Sequence, residues 1–377
     1  MPVTYTPIRY PGGKSKIYPL VDSIISESGL DGCAYAEAYC GGAGLAMKLL
    51  LLGRVSRVIL NDVDPAVYSM WDAIVNHPEE LCEFIEGAEL DIPEWKAQRE
   101  VYLSSGSPSL ELGKAAFYLN RANRSGILRG GPIGGMSQSG KFGIGARFNR
   151  GPLCDKVRAI AARSADIDLH NMDACEFIST VLAGTDGLFA NFDPPYVVKG
   201  PGLYENSYTE ADHRGAAEVI AACPFPWIVT YDNVPLVSEI YSEFDRYLID
   251  VGYSAASSKV GRELLIAGPG VKKRWGGKSA GEMADDPEAM DLLAGYLAQA
   301  LMTYTLCYAP QKIIIGGGVA DHTPIVPLAR KKCAEMLNGY IVTPEVNDID
   351  SYIVNNSLEG KQGIMGCLAL GAQALQS

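Results

Sequence analysis

Short apolar runs alternate with polar turns and longer helical stretches along the first 267 residues of the chain. Apolar runs of about four to eight residues between turn signals predict buried strands. Such runs occupy residues 34–39, 57–60, 167–170, 188–196, 227–231, 247–249 and 263–266. The first two flank a helical run at 45–52, and the last two are near enough to form a hairpin-like pair that closes the sheet. The pattern predicts an α/β fold with a doubly wound sheet.

The pattern changes between the second and third of these strands. Residues 66–112 have the apolar spacing of helices, which Pro78 and Pro93 interrupt because proline lacks the N–H that a helix interior needs. Residues 126–151 are rich in glycine and predict an irregular loop, and a helix is expected to start at 159–164. Long loops inside compact domains are usually functional or disordered.

A second set of elements follows residue 267. The apolar spacing predicts a helix at 288–308, a buried strand at 312–315 and a glycine turn at 316–318. Further helices are expected at 323–337 and 361–375. We therefore expect two domains, residues 1–267 and a smaller α/β segment at 268–377.

The composition is that of a soluble globular protein, with 47% hydrophobic and 20% charged residues. No apolar run reaches the roughly 18 residues of a membrane span, and the first residues lack the layout of a signal peptide. The nine cysteines include no Cys-x-x-Cys pair, which favours reduced thiols over disulfides or a zinc site. We expect a cytoplasmic protein without a membrane partner and without a metal site.

The charge is unevenly distributed along the chain. A net charge of −12 argues against a nucleic-acid partner when it is averaged over the whole chain. Residues 112–154, however, contain no acid and seven basic residues, namely Lys114, Arg121, Arg124, Arg129, Lys141, Arg147 and Arg150. A local field of one sign is what a phosphate backbone requires. The alternative, a coincidental basic face, is disfavoured by an acid-free run of this length in a chain with 44 acids.

A glycine-rich turn follows the first predicted strand. Gly41, Gly42 and Gly44 precede the helical run, and Asp62 follows the second strand. Glycine allows a ligand to approach the backbone closely, and the start of the helix favours a polar or anionic group there. An acid after the second strand is placed to accept hydrogen bonds from ribose hydroxyls. The layout predicts a nucleotide-type ligand.

The sequence Asp-Pro-Pro-Tyr at 193–196 ends the fourth predicted strand. Each proline fixes its own φ and restricts the residue before it, so the turn is stiff. It presents a carboxylate, carbonyls and an aromatic ring at the sheet edge where open α/β folds bind ligands. These groups suit a planar base with an exocyclic amine. The alternative is a strand-ending turn with a surface tyrosine.

Taken in order, these motifs resemble those of DNA adenine-N6 methyltransferases of the DNA adenine methylase type, over about residues 1–267. The matching residues are 9–14 (Arg-Tyr-Pro-Gly-Gly-Lys), 37–44, Asn61-Asp62, Leu119-Asn120-Arg121, Gly126, Arg129, 193–196 and Asp212-His213. The resemblance implies a Rossmann-like sheet that binds S-adenosylmethionine, with a target-recognition region inserted within about 67–155. The partner that it implies is double-stranded DNA, and it leaves open a cognate restriction nuclease.

The resemblance also implies roles for individual residues. Tyr10 and Lys14 would lie beside S-adenosylmethionine, and Asp173 would lie near its adenine. Its methionine part would be surrounded by Glu37, Gly41, Gly42 and Gly44, and its ribose held by Asp62. The target adenine would be flipped out of the duplex and methylated at N6 by the catalytic residues Asp193, Pro194 and Tyr196. The basic residues expected to bind DNA are Arg121, Arg124, Arg129, Lys141, Arg147 and Arg150.

The chain also departs from this family's pattern. The usual aromatic-Asn-Gly is replaced by Arg124-Ser125-Gly126, and residues 130–135 and 141–143 differ from the pattern of enzymes that recognise GATC. The target sequence is therefore not specified. The departures are typical of relatives from phages or mobile elements. Arg124 or Arg129 is the best candidate for a bidentate guanine contact.

The tail resembles the C-terminal part of fructokinases of the ROK sugar-kinase group. The resemblance rests on residues 270–276, 296–301, 312–319, 351–354 and 363–366. The phosphate-binding loop, the catalytic aspartate, the sugar site and the zinc cluster of such kinases have no counterpart in this sequence. We expect no kinase activity. The alternatives to a methyltransferase are a sugar-kinase fragment and a DNA-binding protein with a decayed enzyme fold.

Overall fold

The computed structural model describes residues 4–198, 208–252, 260–272, 287–316, 320 and 323–355. The chain divides into two compact units, Met1–Arg274 and Trp275–Ser377. None of the described helices is long and apolar enough to cross a membrane.

The first unit is built on a seven-stranded sheet. Its strands are β1 (Ala34–Glu37), β2 (Arg57–Asn61), β3 (Ile167–His170), β4 (Leu188–Phe192), β5 (Trp227–Asp232), β6 (Asp245–Gly252) and β7 (Val260–Ala267). The order across the sheet is β3-β2-β1-β4-β5-β7-β6. The first five are mutually parallel, whereas β7 is antiparallel to both β5 and β6. The predicted α/β fold and the hairpin-like pair at its end are confirmed, and the sheet is mixed.

Two strands are shorter than the sequence predicts. β1 ends at Glu37 because the chain then turns towards Gly41, whose φ of 44° lies in the left-handed region. β4 ends at Phe192, just before the proline motif, because proline has no N–H to donate to a neighbouring strand.

The described helices of this unit are α1 (Tyr18–Glu27), α2 (Gly44–Leu51), α3 (Pro65–Asn76), α4 (Pro78–Gly87), α5 (Ile92–Ser104), α6 (Leu110–Ala122), α7 (Arg150–Ala161), α8 (Ala174–Thr180), α9 (Glu210–Ala221) and α10 (Pro235–Ile240). Helices α8, α9 and α10 contribute Phe177, Ile220 and Val237 to a core with Phe192 and Trp227 of the sheet. Each such large side chain contributes about 1.5–3 kcal/mol by leaving water. This core fixes the strands that carry the proline motif.

Helices α3 to α7 form an insertion between β2 and β3. Helix α6 packs against α3 and α5, and α4 packs against α7. Pro78 and Pro93 lie in the first turns of α4 and α5, where a missing N–H costs no helical hydrogen bond. The two prolines therefore mark the starts of helices. This agrees with the prediction that each one separates two helices.

The expected start of a helix at 159–164 is wrong. Helix α7 begins at Arg150 and ends at Ala161. Its buried face consists of Leu153, Cys154, Val157 and Ile160. Gly151 and Pro152 obscured this start in the sequence, because both residues are typical of loops. Proline is nevertheless tolerated in the first helical turn.

The second unit contains a two-stranded parallel sheet and helices. Its described elements are α11 (Pro287–Tyr308), β8 (Ile313–Ile315), α12 (Ile325–Leu337), α13 (Pro344–Asn347), α14 (Ile349–Tyr352) and β9 (Ile353–Asn355). Ala294, Ala298, Val326 and Cys333 form part of its core. The predicted helices at 288–308 and 323–337 and the strand at 312–315 agree with these elements. Residues 317–319 of the predicted glycine turn and the predicted helix at 361–375 lie outside the described residues.

Candidate active site

Several of the predicted catalytic and cofactor-binding residues lie where the strand order reverses. From β1 the chain continues to β2 and β3 on one side, whereas β4 and β5 lie on the other. Glu37 at the end of β1 pairs with Asn191 near the end of β4, so Asp193 lies just beyond the same edge. A reversal of strand order opens a crevice at the carboxyl ends of parallel strands.

Both carboxylate oxygens of Asp193 are bound. Lys14 Nζ lies 2.8 Å from Oδ2, and Thr230 Oγ1 donates a hydrogen bond of 2.8 Å to Oδ1. Thr230 is buried on β5, the neighbouring strand. The side chain of Asp193 is still 25% exposed. It is therefore fixed in orientation and remains accessible to a ligand.

Lys14 lies against the proline motif. It starts a short 3-10 turn, Lys14–Ile17, and its Nζ donates to Gly12 O at 3.1 Å. The same nitrogen is 3.9 Å from Glu263 Oε2 and 5.0 Å from the centre of the Tyr196 ring. A residue expected beside the cofactor thus also contacts two residues expected to be catalytic.

Glu263 is a site residue that the sequence analysis missed. It lies on β7, is 1% exposed, and brings a second carboxylate to Lys14. The sequence contained one signal for this residue, a glutamate at the start of the apolar run 263–266. Burial of an acid in a strand destabilises the fold unless a cation lies close to it, so a buried glutamate indicates such a partner. Its partner could not be inferred, because the contact depends on β7 lying beside β5.

The turn that carries Tyr196 is held by β5. Asp232 accepts hydrogen bonds from Val197 N at 3.2 Å and Val198 N at 2.9 Å. The ring of Tyr231 lies 6.0 Å from that of Tyr196, and Tyr231 Oη is 2.6 Å from His213 Nδ1. The sequence analysis predicted stiffness from the prolines alone and missed the contributions of Asp232 and Tyr231.

The glycine turn is tied to Asp62. Gly41 N donates to Asp62 Oδ2 at 2.9 Å, and Asp64 N donates to Oδ1 at 3.0 Å. Burial raises the pKa of Asp62 to about 7, although these two donors oppose the shift. Trp71 Nε1 donates to Gly41 O at 2.8 Å, which fixes the turn from the inserted helices.

Much of the space above the glycines is occupied by the chain itself. A Cβ at Gly41 would lie 2.7 Å from Tyr10 Cε1, and one at Gly42 would lie 2.8 Å from Tyr10 Cβ. A Cβ at Gly44 would lie 2.2 Å from Ser15 Oγ. A side chain at any of these three positions would therefore collide with Tyr10 or Ser15. This explains the glycines in addition to the close approach of a ligand that the sequence suggested.

Glu37 is a buried carboxyl near the proline motif. It accepts a hydrogen bond from Tyr35 Oη at 3.1 Å. Burial, with a smaller contribution from the charge of Asp193, raises the pKa of Glu37 to about 8, although Tyr35 and Lys14 oppose the shift. A cationic group bound next to it would favour the ionised form.

Asp173 lies at the same sheet edge and begins a helix. It follows β3, and its carboxylate accepts from Cys175 N at 2.8 Å and Glu176 N at 3.2 Å. Asp173 is therefore the N-cap of α8. Its backbone neighbour Met172 is joined to Asn61 of β2 by two hydrogen bonds.

The basic residues fall into two groups. Arg124, Arg129, Lys141, Arg147 and Arg150 are exposed, and Arg121 is partly buried. Arg121 donates to Arg147 O at 2.8 Å and to Pro7 O at 3.0 Å, and burial lowers the pKa of Arg121 to about 10. Arg150 donates to Ala88 O at 2.6 Å. Arg121 and Arg150 thus hold the loop in place through backbone carbonyls.

Arg9 belongs to the same basic cluster, which the sequence analysis did not anticipate. Its Nη1 donates to Asn123 O at 3.0 Å. Burial lowers the pKa of Arg9, and the charge of Arg147 lowers it further. The positive surface therefore combines the N-terminal segment with the acid-free run.

Comparison with known proteins gives two results, and the first concerns the tail. A model of the ROK family matches residues 263–374. A putative fructokinase of Bacillus subtilis (strain 168) is 39% identical over 116 residues, which are 30% of this chain and 38% of that protein. A fructokinase of Pediococcus pentosaceus is 41% identical over 115 residues, again 30% and 38%. The chain thus spans about 38% of the length of these fructokinases.

The second result concerns the unit that carries the site. The type II methyltransferase M1.LlaDCHI of Lactococcus lactis subsp. cremoris is 21% identical over 287 residues, which are 70% of this chain and 94% of that protein. The family model described as D12 class N6 adenine-specific DNA methyltransferase matches residues 10–254, more than half of the chain. This range contains the glycine turn, Asp62 and the proline motif. The chain belongs to the D12 class of N6 adenine-specific DNA methyltransferases.

Proposed function

We propose that the chain transfers a methyl group from S-adenosylmethionine to N6 of adenine in DNA. The observation that carries the proposal is the Asp193 carboxylate, fixed between Lys14 and Thr230 at an open sheet edge and followed by Tyr196. Membership of the D12 class supports the same reaction. The seven-stranded sheet would be the Rossmann-like core of residues 1–267, with the target-recognition region within about 67–155.

The residues at the glycine turn fit S-adenosylmethionine, which supplies a methyl group on a positively charged sulfur. Asp62 has its carboxylate at the turn and would accept from the ribose hydroxyls. Glu37, whose pKa is raised to about 8 by burial, would be ionised by a nearby cation. Tyr10 lies against the glycines. Asp173, at the carboxyl end of β3 on the same sheet edge, would lie near the cofactor's adenine.

The target base would be recognised by the proline motif. The Asp193 carboxylate, which Lys14 and Thr230 hold in place and which has unshared electron pairs left on both oxygens, would accept a hydrogen bond from N6. Pro194 O would accept the other N–H, and Tyr196 would stack on the ring. These bonds free the N6 lone pair for in-line attack on the methyl group. The N–CH3 bond would form as the S–CH3 bond breaks, S-adenosylhomocysteine would leave, and N6 would give up one proton to Asp193 or water. Positioning then supplies much of the rate, after the base has left the duplex.

The basic surface would bind the DNA. Arg124 or Arg129 would contact a guanine, because one guanidinium group can donate two hydrogen bonds, to O6 and N7 of the base. Lys141 and Arg147 are exposed and would contact phosphates. Arg121 and Arg150 would support the surface through their bonds to carbonyls. We propose a cytoplasmic location for the protein. A cognate restriction nuclease as a partner remains a prediction from the sequence.

A cellular experiment tests this function. The chain is expressed in a host without adenine methylation, and N6-methyladenine is mapped in the host DNA. We expect methylation at one short recurring sequence, and none with Asp193→Ala. A genome without a methylated sequence, with the protein folded and S-adenosylmethionine binding confirmed, would refute the proposal.

Residues 268–377 would not be a working kinase. The similarity of this segment to fructokinases covers little more than a third of their length. A coupled assay of fructose phosphorylation tests the alternative, and we expect no activity above that of a chain that ends at residue 274. Phosphorylation that requires the tail would show a second function.

A further inference from the structure

Three consecutive residues of β5 support the proline motif and the turn after it. Thr230 and Asp232 do so through hydrogen bonds. Tyr231, between them, does so through its ring, which lies 6.0 Å from the ring of Tyr196 with 30° between the two planes. Successive side chains of a strand point to opposite faces. Tyr231 therefore supports the motif from the other face of β5.

Tyr231 is itself held by a histidine. Its hydroxyl oxygen lies 2.6 Å from His213 Nδ1, and the two rings are 5.6 Å apart. Tyr231 is 1% exposed and His213 is 3% exposed. A buried hydroxyl that loses its partner pays the full cost of leaving water, so this hydrogen bond restricts where the ring can lie. His213 thus fixes the ring that packs against Tyr196.

The position of His213 is defined from two further sides. It directly follows a capping box at the start of α9, in which Thr209 N donates to Asp212 Oδ2 at 2.8 Å and Asp212 N donates to Thr209 Oγ1 at 3.3 Å. Its ring also meets the edge of the Tyr208 ring at 5.4 Å. Tyr208 Oη lies 3.1 Å from the hydroxyl of Tyr39, just before the glycine turn. These contacts give the imidazole one orientation.

We propose that His213 is a positioning residue for methyl transfer. By fixing Tyr231, it fixes the plane of the Tyr196 ring and hence the plane in which the target adenine stacks. The proposal rests on the proposed function, in which Tyr196 stacks on the base. Because in-line transfer requires the reacting atoms to be aligned, a tilted base reacts more slowly. This gives a role to the Asp212-His213 motif, which the sequence resemblance left without one.

A histidine with a purely structural role would stabilise the protein and leave methyl transfer unchanged, and a set of variants separates the two roles. His213→Leu removes the polar ring, Tyr231→Phe removes only the hydroxyl of the same bond, and a double variant combines them. His213→Asn keeps an uncharged polar group near the position of Nδ1. The native imidazole is also uncharged at neutral pH, because burial lowers the pKa of His213 although Asp232 and Asp212 oppose the shift. Ile220→Val, on the buried face of the same helix, is the control.

We measure single-turnover methylation of a duplex with the mapped target, affinity for S-adenosylmethionine by calorimetry, and thermal unfolding. His213→Leu and Tyr231→Phe should each be slowed by about fivefold or more, with cofactor affinity within about twofold of wild type. The double variant should be no slower than the slower single variant, because both changes remove one bond. His213→Asn should be at least about threefold faster than His213→Leu. Ile220→Val should lower the melting temperature and keep the wild-type rate.

Tyr231→Phe keeps the buried ring and is expected to fold, so a wild-type rate in this variant alone overturns the proposal. Losses that multiply in the double variant, or no recovery in His213→Asn, also overturn it. Equal slowing of Ile220→Val and His213→Leu does so too, because the loss would then follow stability. Failure of the proposed function is distinct, since wild type would then methylate no duplex.

Discussion

Two donors hold the carboxylate of Asp193, and an amide in its place would leave only one oxygen to accept from them. In Asp193→Asn, an NH2 group would face Lys14 Nζ or Thr230 Oγ1, both of which donate to the wild-type carboxylate. We expect methyl transfer to fall by about a hundredfold or more, as for loss of a preorganised polar contact. Affinity for S-adenosylmethionine, measured by calorimetry, should change by less than about threefold, since Asp193 is proposed to bind the base and a removed contact affects chiefly its own ligand.

The matched control for this variant is Asp168→Asn. Asp168 is an exposed carboxylate on β3, 3.5 Å from Arg57 Nη1. Exposed ion pairs contribute little, so this variant should methylate DNA at the wild-type rate. Wild-type activity of Asp193→Asn would contradict the role given to the carboxylate.

The raised pKa values of two carboxyls predict a pH dependence of stability. Burial raises the pKa of Glu37 from 4.5 to about 8 and that of Asp62 from 3.8 to about 7. At a pH between the two values for each group, the carboxyl is protonated in the folded state and ionised in the unfolded state. The free energy of unfolding therefore falls as pH rises through this range. We expect the ligand-free protein to lose stability between pH 5 and 8, by at most about 1.4 kcal/mol per pH unit and group.

Urea unfolding at several pH values in this window measures the effect. Glu37→Gln keeps the shape of the side chain without its charge, so its stability should fall less steeply between pH 5 and 8. An unchanged slope would show that Glu37 is already ionised in the ligand-free protein. Glu111→Gln, at an exposed position on α6, is the control and should keep the wild-type slope.

At this scale the sequence was informative about motif residues and silent about their partners. The order of motifs pointed to Lys14, Asp62 and Asp193, because each lies next to a recognisable turn. Thr230 and Glu263 reach the site only because β5 and β7 lie side by side beyond β4. Such long-range strand order has no local signal in the sequence.

The turn between β1 and α2 leaves little room beside Tyr10. A Cβ at Gly42 would lie 2.8 Å from Tyr10 Cβ, so Gly42→Ala must displace the N-terminal segment. We expect a stability loss of about 1–3 kcal/mol and weaker binding of S-adenosylmethionine, measured by chemical unfolding and calorimetry. In Gly87→Ala, the control, the added Cβ meets no atom within 4 Å. Wild-type binding by Gly42→Ala would contradict the proposed place of the cofactor.

The acid-free run 112–154 contains an exposed cation, Lys141, and a partly buried one, Arg121. Lys141→Ala should reduce the dependence of log affinity for DNA on log salt by about 0.9, the effect of one phosphate contact, without changing the melting temperature. Arg121→Ala should instead lower the melting temperature, because it removes the bonds to Pro7 and Arg147. DNA binding at several salt concentrations and thermal unfolding separate the two. Equal effects of both variants on stability would contradict the proposal that Lys141 contacts DNA and Arg121 supports the structure.

The helices and strands were largely predictable from apolar spacing, whereas the loop was not. Glycine content predicted irregular structure at 126–151, and two features in that range are nevertheless ordered. One is the start of α7 at Arg150, which Gly151 and Pro152 obscured. The other is the set of three hydrogen bonds made by Gln138. Their formation depends on the final path of the backbone and not on composition.

The whole molecule consists of two compact units with separate family relationships. All residues proposed for methyl transfer lie in Met1–Arg274, and the similarity to fructokinases lies almost entirely beyond it. We expect residues 1–274 alone to methylate the same target sequence within about threefold of the full chain's rate, since domains with their own core usually fold alone. Single-turnover assays of both proteins test this. Loss of activity, with the shorter protein folded, would give the tail a role in catalysis.

The most direct test of the central claim is the chemical identity of the methylated product. Purified full-length chain is incubated with duplex DNA containing the mapped target and S-adenosylmethionine labelled in its methyl group, and the DNA is then digested to nucleosides. The account predicts that the label is recovered as N6-methyladenine with wild type and that none is recovered with Asp193→Ala. Label in methylated cytosine, or equal label with Asp193→Ala, would contradict it.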